Sequence, residues 1–115
     1  MERDRIGEKG LRELAVAAVG GEVLVRGELN SPAGIVGIIT GGAGSEVEVV
    51  AREGIQTFIT GEGPHWSHPL AEELGLHVLY AGHYATETFG VRALAELIGG
   101  RFALKSVFID YPTGL

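Results

Sequence analysis

The chain has 115 residues, a formal charge of −6 and an apolar fraction of 45%. That is one domain's worth of chain with enough apolar content to bury a core, which excludes an intrinsically disordered segment. Acidic and basic residues are dispersed, so there is no basic footprint for nucleic acid or an anionic membrane. The chain has no cysteine, and therefore no disulfide framework, thiol nucleophile or zinc–thiolate site. No apolar run approaches the ~20 residues of a membrane span. The start, MERDRIGEKGLRE, has no continuous apolar stretch behind its charges, unlike a secretory leader. The default expectation is a cytoplasmic protein.

Glycine is abundant, 19 residues, and it sits at segment ends, where it reads as turns and caps. EKGLRELAVAAVG places Leu11, Leu14, Ala15 and Ala18 at helical spacing, with glycine after the end. EVLVRGEL is a short strand candidate, and GIVGIIT is an apolar run of the buried-strand type that breaks at GGAG. In SEVEVVARE, Ser45 and Glu48 have capping-box spacing, and Gly54 suits the left-handed position after a helix. IQTFIT predicts a strand. The loop GEGPHW follows, and SHPLAEEL predicts a short helix with Ser67 as N-cap and Gly75 as stop. LHVLYA predicts a strand, TETFGVRALAELI a long helix ending at Gly99 and Gly100, and ALKSVFIDY a last strand. Strands alternating with helices imply an α/β fold with a mixed, largely parallel sheet covered by helices. The first 30 or so residues fit this alternation least well. Their helix and strand have no evident partners, as if they belonged to a larger whole.

In open α/β sheets, ligands bind beyond the carboxyl ends of the strands. Three loops there carry nearly all the chemically useful groups: TGGAGSE, TGEGPHWSH and AGHYATE. His83 and Glu87 are four residues apart where a helix begins, so they share a face about 6 Å apart. An imidazole and a carboxylate so placed can converge on a divalent cation, with zinc, manganese, iron or nickel suiting the donors. The same residues also suit a bland reading, in which Glu87 complements the helix dipole and His83 packs at a strand end. Glu62 reads either as a general base or as a solvated loop carboxylate, and His65 is a candidate proton donor. His65 and His68 flank Trp66 in a glycine–proline loop, where exposed histidines are common. His77 reads as a packed strand residue. Gly41, Gly42, Gly44 and Ser45 could cradle an anion, although the loop lacks the full G-x-G-x-x-G spacing and the lysine of a P-loop. No nucleophile elbow is present, because Ser45 lacks the G-x-S-x-G frame.

GIVGIITGGAGSEVEVVAREGIQTFITGE, followed by GLHVLYAGHYATETFGVRALAELI and VFIDYPTG, resembles the C-terminal half of the Nif-three-like family. These are hexameric dinuclear-metal proteins also named GTP cyclohydrolase 1 type 2 homologs. The resemblance covers residues 33–113, and residues 1–32 resemble the stretch that joins the two halves. It implies that the chain, read as a single domain over residues 1–115, is the C-terminal lobe of that fold. It also implies that His83 and Glu87, as the GHxxxE motif, are metal ligands. Glu62 and His65 would face the same cleft. Family members are about twice this length, and their N-terminal half brings a His-His pair and an aspartate that this chain does not match. The expectation is an incomplete metal site in a hydrolase-related domain with negligible turnover of its own. It would act as a homo-oligomer or be completed by a separate N-terminal half. Two rival readings are a noncatalytic oligomerisation module and an anion- or nucleotide-binding domain built on GGAG.

Overall fold

The computed structural model describes residues 6–115. Part of the charged start MERDRIGEKGLRE, read as unlike a secretory leader, therefore lies outside what it describes. Among the described residues, four helices and four strands follow one another as α1 (Glu8–Val19), β1 (Leu24–Arg26), β2 (Val36–Ile38), α2 (Val47–Arg52), β3 (Thr57–Thr60), α3 (Ser67–Glu73), β4 (His77–Tyr80) and α4 (His83–Phe102), with a 3-10 turn at Ala43–Glu46 before α2. The strands form one sheet in the order β1-β4-β3-β2. β2, β3 and β4 are parallel, with Phe58 opposite Val78 and Thr60 opposite Tyr80, and β1 runs antiparallel to β4.

Alternation along the strands divides the core into two layers. Phe58, Val78 and Tyr80 point to one face, where Val47 and Val50 of α2 and Ala71 of α3 cover them. Leu79 and Ala81 point to the other, where Leu11, Ala15, Val16 and Val19 of α1 pack over them. The N-terminal segment thus has partners within this chain, contrary to the sequence expectation. β1 pairs with β4 and α1 roofs the sheet. The buried face of α1 is also rotated from the expected one, since Leu14 is exposed and Val16 and Val19 take its place. Glu8 at the start of α1 is buried, hydrogen-bonded to the Thr57 hydroxyl, which also lies 2.5 Å from the Ala33 carbonyl.

Three local expectations change. Ser45 is not a cap: residues 43–46 already coil into the 3-10 turn, so Ser45 lies inside the helical run, and a cap residue needs extended backbone in front of it. Ser67 is the first residue of α3 and not its N-cap, which is Trp66. Its hydroxyl donates to the Pro64 carbonyl (2.6 Å) and lies 2.8 Å from the Tyr80 hydroxyl. α4 runs through Gly99 and Gly100 to Phe102. The Leu104 carbonyl packs so close to Gly99 that an added Cβ would meet it at 3.0 Å.

The last predicted strand is absent. Residues 103–115 have no regular structure. A strand holds its shape through a ladder with a neighbour, and this segment lies along α4, which offers no strand edge. Of the 20 residues of α4, only Thr86 is buried. Helix and tail therefore extend from the sheet, and the radius of gyration is 15.8 Å against about 13 Å for a compact chain of this length.

Candidate functional site

The loops after β2, β3 and β4 meet at one edge of the sheet, as their parallel order requires. They meet closely. A Cβ on Gly61 would lie 2.3 Å from the Gly41 carbonyl oxygen and 2.6 Å from that of Gly82, so only glycine fits at this crossing. The Glu62 N–H donates to Gly41 O (2.9 Å) and the Gly82 N–H to Gly61 O (2.9 Å), which extends the register of the sheet into the loops.

His83 opens α4 directly over this crossing. Its Nδ1 lies 2.6 Å from Glu62 Oε1 and its Nε2 lies 3.2 Å from Glu87 Oε1, so the ring is held between a carboxylate from the loop after β3 and one from the next turn of α4 itself. The Glu62 hydrogen bond is the main force raising the His83 pKa above its ordinary value; partial desolvation opposes it and the Glu87 charge adds to it. Side chains of both expected ligands lie flat on the glycine loop. At Gly41 a Cβ would come within 2.5 Å of Glu87 Oε1, and at Gly42 within 3.3 Å of His83 Cε1. The glycines make room for the imidazole and the carboxylate.

Backbone amides of the GGAG loop are already engaged. Gly41 N–H donates to Thr86 Oγ1 (2.9 Å), Ala43 N–H to Thr60 Oγ1 (3.2 Å) and Gly44 N–H to Glu62 O (3.0 Å). Few donors of the expected anion cradle face outward as a result. Sequence reasoning did not single out Thr60 and Thr86. Thr86 is buried, accepts from Gly41 and donates to the His83 carbonyl (3.1 Å), tying the glycine loop to the first turn of α4. Its place in GHYATE, three residues after His83, was the available signal.

The histidines of GPHWSH separate. His65 and Trp66 are exposed. His68 turns inward, stacks on Tyr80 with ring centroids 4.5 Å apart, and accepts from Arg26 Nε at 2.8 Å. Desolvation, then the charges of Arg26 and His65, push its pKa below the ordinary value. His77 lies in β4 as expected, and its Nδ1 accepts the Glu28 N–H at 3.3 Å.

Among the described residues, no group of three or more His, Asp or Glu side chains is arranged to hold a metal ion. The geometry explains this, since Glu62 and Glu87 address opposite nitrogens of one ring and cannot share an ion on the same side of it. Fold and site together define an α/β lobe with a His–Glu pair at the carboxyl edge of a mostly parallel sheet. The sequence model of Duf34/NIF3 (NGG1p interacting factor 3) matches residues 8–113. The chain belongs to this family. It is 45% identical over 80 residues to the GTP cyclohydrolase 1 type 2 homolog of Pyrococcus horikoshii, covering 70% of this chain and 32% of that protein. To the protein of the same name from Deinococcus radiodurans it is 38% identical over 111 residues, covering 94% and 42%. The solved structure of protein ybgI, described as of unknown function, superposes with a TM-score of 0.84 at 34% identity, over 97% of this chain and 46% of that one. The chain spans less than half the length of these relatives. Among the described residues, no helix is long and apolar enough to cross a membrane.

Proposed function

We propose that this chain supplies part of a divalent-metal site, with His83 and Glu87 as ligands and Glu62 as the carboxylate that orients the His83 ring. The observation that carries the reading is the 3.2 Å separation of His83 Nε2 and Glu87 Oε1. Two donors each about 2.1 Å from one ion lie about 3.0 Å apart at an octahedral edge and about 3.4 Å apart at a tetrahedral one. The pair therefore has the spacing of two donors on a shared cation. Glu62 at Nδ1 would keep the ring proton on that side and leave the Nε2 lone pair free, the usual arrangement behind a metal-bound histidine. Nitrogen and oxygen donors suit zinc, manganese, iron or nickel.

Two ligands fall short of the three or four that metal sites usually hold. The remaining ligands would come from the part of the family fold that this chain does not span, as a separate N-terminal half or within a longer protein. A bound cation would supply Lewis-acid polarisation. The chain's own residues would hold and orient it, and the exposed His65, three residues after Glu62, would be the candidate proton donor. The relatives' name points to GTP ring opening and a hydrolase-like activity, and turnover by residues 1–115 alone is expected to be negligible.

A metal-competition titration with zinc and with manganese tests the ligands. His83→Ala and Glu87→Gln are each expected to weaken binding by about tenfold or more while the helical circular dichroism stays intact, and adding a family N-terminal half to tighten binding by about a hundredfold. Equal titrations for wild type and both variants would refute the assignment. The exposed apolar surface of α4 favours a second reading, a noncatalytic oligomerisation module. Phe89, Val91, Leu94, Leu97 and Phe102 are all exposed, and such surface seeks cover. Light scattering is expected to show a dimer or larger homo-oligomer at tens of micromolar, an order-of-magnitude range for weak association. A clean monomer there would remove this reading. The anion-binding reading is weakened by the engaged amides of the GGAG loop.

A further inference from the structure

Residues 103–115 lack regular structure, yet they follow a definite course. The chain turns at Ala103 in the left-handed region (φ 51) and doubles back along α4. Its contacts then descend the helix in order. The Leu104 N–H donates to Gly99 O (3.2 Å), and the Arg92 guanidinium sits 4.3 Å over the Phe108 ring. The Tyr84 hydroxyl donates to Asp110 Oδ1 (2.7 Å) and accepts the Tyr111 N–H (2.7 Å). Finally, the Tyr84 N–H donates to Leu115 O at 3.1 Å. α4 has no side-chain N-cap, so this carbonyl satisfies one of its orphan first-turn amides. The segment arrives at the His83–Glu87 pair, where Thr113 and Leu115 line a cavity of about 300 Å³ together with His83, Tyr84 and Glu87.

We propose that residues 103–115 are a strap, latched by Tyr84 and Asp110, which walls one side of the His83–Glu87 pair and slows the exchange of a cation or small ligand held there. Burial does not hold the strap down, because Val107, Ile109 and Tyr111 are 69, 82 and 79% exposed. Its polar contacts must do so, and two of them converge on the hydroxyl of Tyr84, the residue next to His83. A segment held by so few contacts opens at low free-energy cost, so losing the latch raises the open population directly. The wall rests on the metal reading above, whereas the latch stands on its own geometry.

The experiment uses the full chain, Tyr84→Phe and Asp110→Asn, with two readouts. The first is hydrogen exchange at the Tyr84 and Tyr111 amides. Both variants are expected to exchange about tenfold faster there, as follows from the loss of one charge-assisted hydrogen bond, while amides of β3 and β4 keep their protection. The second is zinc release into an excess of chelator, expected to quicken by a similar factor. Unchanged amide exchange in both variants would overturn the strap. Faster exchange with unaltered zinc release would overturn its role as a wall. If wild type holds no zinc even with a family N-terminal half added, the metal reading fails by itself and the amide rates still decide whether the strap exists.

Discussion

The sheet with α1, α2 and α3 is built differently from α4 with its tail, although both are rich in apolar residues. In the first region apolar groups alternate along strands and line one face of each helix, so Phe58, Val78 and Leu79 are fully buried between two layers. In the second they run around the helix and along an extended segment. Leu94, Leu97 and Phe102 are each more than half exposed. Exposed apolar surface on a helix is stabilised by cover, and of the residues of α4 only Thr86 is buried. The difference teaches that apolar content alone does not define a core. The first region buries its own apolar surface, and the second leaves most of its apolar surface exposed among the described residues while presenting the His–Glu pair at its root.

The comparison is broken most directly by truncating one large apolar residue in each region. Phe58→Ala is expected to destabilise the fold by about 3–5 kcal/mol, the usual cost of emptying a packed aromatic site, and Leu97→Ala by no more than about 0.5 kcal/mol in the monomer. Chemical denaturation of the two variants checks this, and similar losses would mean that α4 is covered after all. A second test lies where the regions join. Gly61→Ala places a methyl against the Gly41 and Gly82 carbonyls, so a loss of about 1–3 kcal/mol is expected, together with weaker metal binding because the crossing beneath His83 moves. Gly100→Ala, with nothing near its Cβ, is the matching control in α4 and is expected to be neutral or slightly stabilising. The smallest effect is a pH dependence confined to the packed region. The His68 pKa lies below its ordinary 6.5 when folded, so the unfolded chain takes up the proton first. Stability from this group is fully present above pH 6.5 and declines as pH falls below it. Denaturation midpoints followed downward from pH 7 are expected to drop less steeply for His68→Asn, which keeps an acceptor for Arg26 but does not titrate. Equal slopes would show that His68 titrates normally.

Much of the architecture was legible because it rests on local rules. Helical apolar spacing marked α1, short apolar runs marked β2, β3 and β4, and the stretch closed by Gly54 marked α2. The glycines after strands marked the loops, and the parallel order of β2 to β4 brought those loops to one edge. The spacing of His83 and Glu87 placed both on the first turn of α4, where they lie together.

What the chain by itself determined, then, was the strand–helix alternation, the edge where the polar loops gather and the His83–Glu87 spacing, since each depends on residues close in sequence. Only the tertiary structure decided the rest. It made Glu62 the carboxylate on His83 Nδ1, 21 residues away. It directed the GGAG amides to Thr60, Thr86 and Glu62 and turned His68 inward to Arg26 and Tyr80. It gave β1 and α1 partners within the chain. It also left VFIDY unpaired, because a strand pattern states a capacity for a ladder, and whether an edge lies beside it depends on packing between residues far apart along the chain.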